Sequence, residues 1–180
     1  RTLADQQPPD PRDLADTVHR AVRIGFERTL QQDIRFGLRQ LVDIALRALS
    51  PAVNDPYTGI QVIQRLTVLL CALAPMPLGD YVVAGREGSA HVVVPAPSFS
   101  AYVDLACGLI RRYGAGEPTV TAALLRMLHD VRDLVTDPDR HQVLAQEARL
   151  VVSDAERATL QPADLRIVRE EATSLLPDGS

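Results

Sequence analysis

The sequence contains no lysine and no tryptophan, and only 4% of its residues are aromatic. All 19 basic residues are therefore arginines; they are spread along the chain, and the formal net charge is −4. A nucleic-acid-binding domain usually concentrates basic residues on one face and adds aromatic side chains that stack on bases. We therefore expect no nucleic-acid partner.

Cysteine is also scarce, since Cys71 and Cys107 are the only two in the chain. Both lie in apolar stretches with helical spacing, and no CxxC or Cys/His pattern surrounds them. His129 and Asp133 stand four residues apart and could place two metal ligands on one helix face. Because no third ligand is evident, exposed helix surface is the favoured interpretation of this pair. The sequence predicts neither a metal nor another cofactor.

No stretch reaches the roughly 18 apolar residues that a membrane-spanning helix needs. The chain nevertheless begins at Arg1 without an initiating methionine, which indicates a piece of a longer protein. Its composition, 46% apolar and 23% charged, is typical of a globular domain. We interpret the proline-rich residues 1–11 as a linker and residues 12–180 as a single soluble helical domain.

Hydrophobic periodicity predicts a mostly α fold, a helical bundle-like domain with one small β-hairpin at about residues 81–94. The first helical pattern runs from Asp13 to Leu49, as one long helix or as a kinked pair with Gly25 and Gly37 as candidate breaks. Asn54-Asp55-Pro56 combines a cap residue with a proline at the first helical position, which predicts the start of the next helix. Further helices are predicted at Phe99–Tyr113, Glu117–Thr136, Asp139–Ser153 and about Pro162–Leu175.

A dense polar signature overlies the apolar spacing between Glu27 and Thr58. Buried charges cost several kcal/mol unless they are paired, so the interleaving with apolar positions predicts a specified polar network. The candidate site residues are Arg28, Gln32, Asp33, Arg39, Asp43, Asn54 and Asp55.

Two interpretations of the polar signature stay open. As a site, Arg28 and Arg39 would bind an anion, and an aspartate would act as a base or a metal ligand. As a structural lock, the arginines and aspartates would pair, Arg39, Asp43 and Arg47 would form a ladder on one helix face, and Asn54 and Asp55 would cap a helix. If the Arg39–Asp43 pair is buried, replacing either residue with alanine should cost about 3–5 kcal/mol.

The same stretch carries a longer motif of the form ERT..QD..FG.RQLVDIA.RALSP..NDP.TA, which occurs almost completely from Glu27 onward. In this motif the chain resembles a bacterial family of predicted membrane proteins, known as domain of unknown function 2254. Departures are small: Ala52-Val53 stand where Gly-Ile is common, and Gly59 stands where Ala is common. The resemblance implies the soluble C-terminal part of a protein whose N-terminal part spans the inner membrane several times.

An even number of spans, which is usual in that family, would place this domain in the cytoplasm. The family has no established activity, so the resemblance assigns no catalytic residue. We expect an assembly or ligand-sensing module that forms homo-oligomers through the hairpin or helix faces. The alternatives are a hydrolase or transferase acting on an anionic substrate through the polar signature, and a regulatory gate for transport by the membrane part.

Overall fold

The computed structural model describes residues 12, 15–16, 19–20, 33–84 and 91–176. Within them the chain forms six bounded helices and one two-stranded antiparallel hairpin, which confirms the predicted mostly α fold. The elements in chain order are α1 Ile34–Ala48, α2 Pro56–Leu73, β1 Tyr81–Ala84, β2 His91–Val94, α3 Phe99–Tyr113, α4 Pro118–Arg132, α5 Pro138–Ala158 and α6 Pro162–Thr173.

The helix starts follow from local sequence. Four helices have a proline at the first helical position, where the missing N–H has no intrahelical partner to lose. The residue before the helix supplies a side-chain cap in five cases, which are Asp33, Asp55, Ser98, Glu117 and Asp137. The predicted starts at Pro56, Pro118 and Pro162 are thereby confirmed.

Helix α4 lies at the centre of the bundle, packed against α2, α5 and α6. Its side chains Val120, Leu124, Leu125 and Leu128 are fully buried. Helix α1 packs against α2 and α3, and α3 also packs against α5, so one core cluster joins all six helices. None of the described helices is both long and apolar enough to cross a membrane.

The hairpin stands outside this core. Tyr81 pairs with Val94 at its base, where Asp80 Oδ1 accepts a hydrogen bond from the Ala96 N–H at 3.0 Å. No described strand residue belongs to the core cluster, and four of the five strand valines are exposed, on both faces of the hairpin. The turn between the strands lies outside the described residues.

Three predicted helix boundaries are corrected. A single long helix from Asp13 to Leu49 is wrong, because Asp33 has extended backbone angles and its carboxylate caps a new helix at Ile34. The break therefore does not fall at Gly37, which lies inside α1. Helix α4 ends at Arg132, four residues before the predicted Thr136, and α5 continues to Ala158, five residues beyond the predicted Ser153.

Candidate functional site

The polar signature lies on the outward face of α1. Spacing of four residues places Arg35, Arg39, Asp43 and Arg47 along one side of the helix, away from the side that meets the core. Arg39 Nε donates to Asp43 Oδ1 at 2.9 Å, but the two side chains are 52% and 45% exposed. Among the described residues this charge pair is not buried, so the condition for a loss of about 3–5 kcal/mol is not met.

An exposed pair contributes little, so Arg39→Ala is expected to lower the free energy of unfolding by no more than about 0.5 kcal/mol. Urea denaturation of the purified chain measures this difference. Leu38→Ala is the matched comparison on the same helix, because Leu38 is fully buried and its truncation should cost about 2–5 kcal/mol. A loss of more than about 2 kcal/mol for Arg39→Ala would show that another part of the protein buries the pair.

Two other members of the signature act as helix caps. Asp33 Oδ1 accepts from the Phe36 N–H at 3.2 Å, and Asp55 Oδ1 accepts from the Thr58 N–H at 3.0 Å. The Thr58 hydroxyl also donates to Asp55 Oδ2 at 2.6 Å. These hydrogen bonds from the Thr58 hydroxyl and N–H favour the carboxylate and lower the pKa of Asp55 below its usual value.

Asn54 sits in the left-handed backbone region with a φ of 48°, which asparagine tolerates better than most residues. It completes the turn between α1 and α2, in which the Asn54 N–H donates to Ser50 O at 2.8 Å and the Asp55 N–H donates to Ala48 O at 2.8 Å. Backbone hydrogen bonds therefore make this connection. Arg28 and Gln32 lie outside the described residues.

Three described members of the signature make local side-chain hydrogen bonds. Side-chain hydrogen bonds of Arg39, Asp43 and Asp55 all run to residues within four positions in sequence. Each described carboxylate of the signature already accepts a hydrogen bond, so these residues give no support to the enzyme alternative. Nor does the part of the chain that the structure describes hold any cluster of three or more metal-ligating side chains.

Residues of the signature border two open depressions along α1 and α3. One has a volume of about 380 Å³ and is bordered by Asp33, Arg35, Phe36 and Arg39 of the α1 region, with Leu105 from α3. The other has a volume of about 560 Å³ and lies at the end of α1 that leads into the turn. Its lining residues are Asp43, Leu46, Arg47, Ser50, Val53 and Tyr113.

A buried ionic cluster lies elsewhere, between α3 and α5, and the sequence interpretation missed it. Arg111 Nε donates to Glu147 Oε1 at 3.0 Å, and Arg111 Nη1 donates to Asp154 Oδ2. The Arg111 and Glu147 side chains are 11% and 9% exposed. Arg157 Nη2 closes the cluster at 3.1 Å from Asp154 Oδ1.

Burial and ion pairing shift the pKa of Glu147 in opposite directions. Burial raises the pKa of Glu147, and the neighbouring Arg111 guanidinium offsets only part of that rise. Burial also raises the pKa of Cys107, well above its usual value, with Glu147 adding to the effect. Cys107 is fully buried, and this thiol is therefore a core side chain.

The sequence contained a signal for this cluster. Arg111 continues the apolar stripe of Val103 and Cys107 at intervals of four, and Glu147 lies between Leu144 and Val151 on the buried side of α5. A charged residue at a core position of one helix predicts an opposite charge at a core position of another. That rule does not specify which two helices meet.

The molecule is thus a helical domain with an exposed arginine- and aspartate-rich helix face and a projecting apolar hairpin. It belongs to the family described as predicted membrane protein, domain of unknown function 2254, whose family model matches residues 1–130. It is 50% identical over 149 residues to an uncharacterised protein of Mycobacterium bovis and to uncharacterised proteins from two strains of Mycobacterium tuberculosis. Each alignment covers 83% of this chain but only 29% of the relative. No solved structure matches the chain.

Proposed function

We propose that this domain is an assembly module of its membrane-protein family and that the hairpin joins two copies of the chain. The observation that supports it is the exposure of the strand valines, which is 61% for Val82, 48% for Val83 and 60% for both Val92 and Val93. A two-stranded hairpin is at best marginally stable alone, and contiguous exposed apolar side chains are typical of interaction surfaces. Among the described residues, no helix packs extensively against this hairpin.

The backbone of the hairpin favours a second strand over lipid as the partner. In a two-stranded sheet each strand has one outer edge with unpaired N–H and C=O groups. Such open edges do not occur in the hydrocarbon of a membrane, because nothing there satisfies them. The edge of another strand satisfies them directly, and strand addition of this kind is a common mode of protein recognition.

The sequence indicates which edge pairs. Pro95 follows β2 immediately and Pro97 comes two residues later, and proline cannot donate a ladder hydrogen bond. Neither strand contains a proline, and the nearest proline to β1, Pro77, lies four residues before Tyr81. We therefore propose that β1 pairs antiparallel with β1 of the second copy about a two-fold axis, which produces a four-stranded sheet.

The contact is small, so we expect weak association of the separate chain, with a dissociation constant on the order of 0.1–1 mM. Attachment of both copies to one membrane would raise their effective concentration and strengthen the pairing. This expectation sets the concentration range of the experiment.

The test compares Val82→Glu in β1 with the matched control Val68→Glu, because Val68 is 65% exposed on α2. Light scattering and native mass spectrometry of the purified chain over a concentration series up to millimolar measure the dimer. We expect the wild type and Val68→Glu to dimerise alike and Val82→Glu to stay monomeric at concentrations at least tenfold higher, because a charge on the edge opposes strand pairing. Neither variant should alter the melting temperature appreciably, since both side chains lie outside the core.

A wild type that stays monomeric at millimolar concentration would contradict the proposal, as would a dimer that Val68→Glu disrupts and Val82→Glu does not. Vesicle binding of a monomeric wild type that is lost in Val82→Glu would identify lipid as the partner and also refute the second copy.

A further inference from the structure

The larger of the two depressions on α1 combines an apolar wall with one available cation. Leu46, Val53 and the ring of Tyr113 supply the apolar side, and Val53 and Tyr113 are 59% and 58% exposed. Its volume of about 560 Å³ lies within the range of small-molecule sites. The wall is built from three separate segments, namely α1, the turn after it and the end of α3.

The charges bordering this depression leave one positive charge without a partner. Asp43 is neutralised by Arg39, which bonds it at 2.9 Å. Arg47 forms no side-chain hydrogen bond or ion pair in the part of the chain that the structure describes. The residues that border the depression therefore carry a single net positive charge, on the guanidinium of Arg47. A guanidinium binds carboxylate and phosphate oxygens through a fork of N–H donors.

Arg47 is not occupied as a helix C-cap either. The carbonyl groups at the end of α1 already have other donors: Arg47 O accepts from Ser50 Oγ at 2.8 Å, and Ala48 O accepts from the Asp55 N–H at 2.8 Å. The turn thus satisfies the last two carbonyls of α1 by itself. The guanidinium of Arg47 remains available to a ligand beside the apolar wall.

We infer that this depression binds an amphiphile with a single negative charge, that is, a carboxylate or a phosphodiester attached to a short apolar chain. The head group pairs with Arg47, and the apolar chain lies against Leu46, Val53 and Tyr113. This inference does not depend on the hairpin or on dimer formation, and it adds a ligand site that assembly does not require. A free carboxylic acid and a membrane lipid share this chemistry.

The experiment titrates the purified chain with two probes and their neutral counterparts below micelle-forming concentrations. Octanoate represents the free acid and octyl glucoside is its uncharged control; dihexanoyl phosphatidylglycerol represents the lipid and dihexanoyl phosphatidylcholine is its control. Calorimetry gives the affinity, and amide NMR shifts locate the bound probe. We expect at least one anionic probe to bind, with shifts at Val53 and Tyr113, and both controls to bind at least tenfold more weakly.

Arg47→Ala should weaken the anionic probe by about 10- to 100-fold, the range expected for losing a hydrogen bond to a charged group. Arg149→Ala is the matched control, because Arg149 is an exposed arginine on α5 that does not border the depression. Tyr113→Ala should weaken whichever anionic probe binds, whereas Tyr113→Phe should preserve binding because the ring is retained.

The titrations either support the proposed ligand site or overturn it. Binding of phosphatidylglycerol alone would assign the site to a lipid head group, and binding of octanoate alone would assign it to a free acid. No binding of either anion, equal binding of anions and neutral controls, or unchanged affinity in Arg47→Ala would overturn the site. A dimer that persists in Arg47→Ala would show that the proposed assembly does not depend on this site.

Discussion

Replacing Arg111 with alanine is expected to lower the free energy of unfolding by about 3–5 kcal/mol. The arginine is 11% exposed and bonds both Glu147 and Asp154, so its removal leaves Glu147 buried without its counter-charge. The exposed pair of Arg126 and Glu171 provides a matched control on α4 and α6, and Arg126→Ala should cost about 1 kcal/mol or less. Urea denaturation of the three proteins at neutral pH measures both differences.

The pH dependence tests the cause of this loss. Burial already raises the pKa of Glu147 in the wild type, and removing Arg111 should raise it further. A carboxyl whose folded-state pKa is raised binds more protons in the folded state, so the stability of Arg111→Ala should recover as the pH falls towards that pKa. The difference in unfolding free energy between Arg111→Ala and the wild type should therefore become smaller at acidic pH. At neutral pH, the double variant Arg111→Met/Glu147→Leu should recover much of the stability lost in Arg111→Ala. A loss no larger than that of Arg126→Ala would contradict the buried cluster.

Arg140→Ala is the second substitution for which we expect a large effect, about 2–3 kcal/mol. Its guanidinium donates to Ala74 O at 2.6 Å and to Met76 O at 2.9 Å, and these carbonyls follow the end of α2. It also lies 5.1 Å from the centre of the Phe99 ring. Hydrogen bonds from a charged donor and the contact with an aromatic face together account for the expected magnitude.

The substitution Arg140→Lys keeps the positive charge but removes the guanidinium geometry, so it distinguishes the two contributions to stability. An ammonium is a compact donor and does not reproduce the two parallel contacts of the guanidinium fork, so this variant should regain less than half of the loss. Arg166→Ala is the control, because Arg166 is 76% exposed and, within the described ranges, pairs only with Glu170 at 3.8 Å. Equal stability of Arg140→Ala and Arg166→Ala in urea denaturation would show that Arg140 does not hold the end of α2.

Local chemistry explains why so many elements were predictable. A proline at the first helical position restricts the backbone angles there, whatever surrounds it, and Pro56, Pro118 and Pro162 each begin a helix as predicted. Gly114 ends α3 and period-two spacing predicts the hairpin, both from a few adjacent residues. The far end of α5 was misplaced because no proline or glycine marks it, and the helix continues to Ala158 while Val151 and Ala155 remain buried.

Burial of charge was not predictable in the same way. Many charged residues fall close together in the polar signature, but their number does not determine whether they are buried. Arg39 and Asp43 lie on the side of α1 that no other described helix covers. Arg111 and Arg112 are adjacent arginines, yet Arg111 is the one that lies buried between two helices. Whether a charged side chain is buried depends on which helices pack together, and sequence spacing alone does not reveal which helices do so.

The separation of the hairpin from the helical core has an evolutionary consequence. A substitution at Val82 or Val93 removes no core contact, so folding imposes little selection on the strands. In the proposed assembly, the choice of partner can then change through single substitutions in the hairpin, while the helical bundle and its stability stay the same. Relatives with similar cores can in this way diverge into complexes that do not mix.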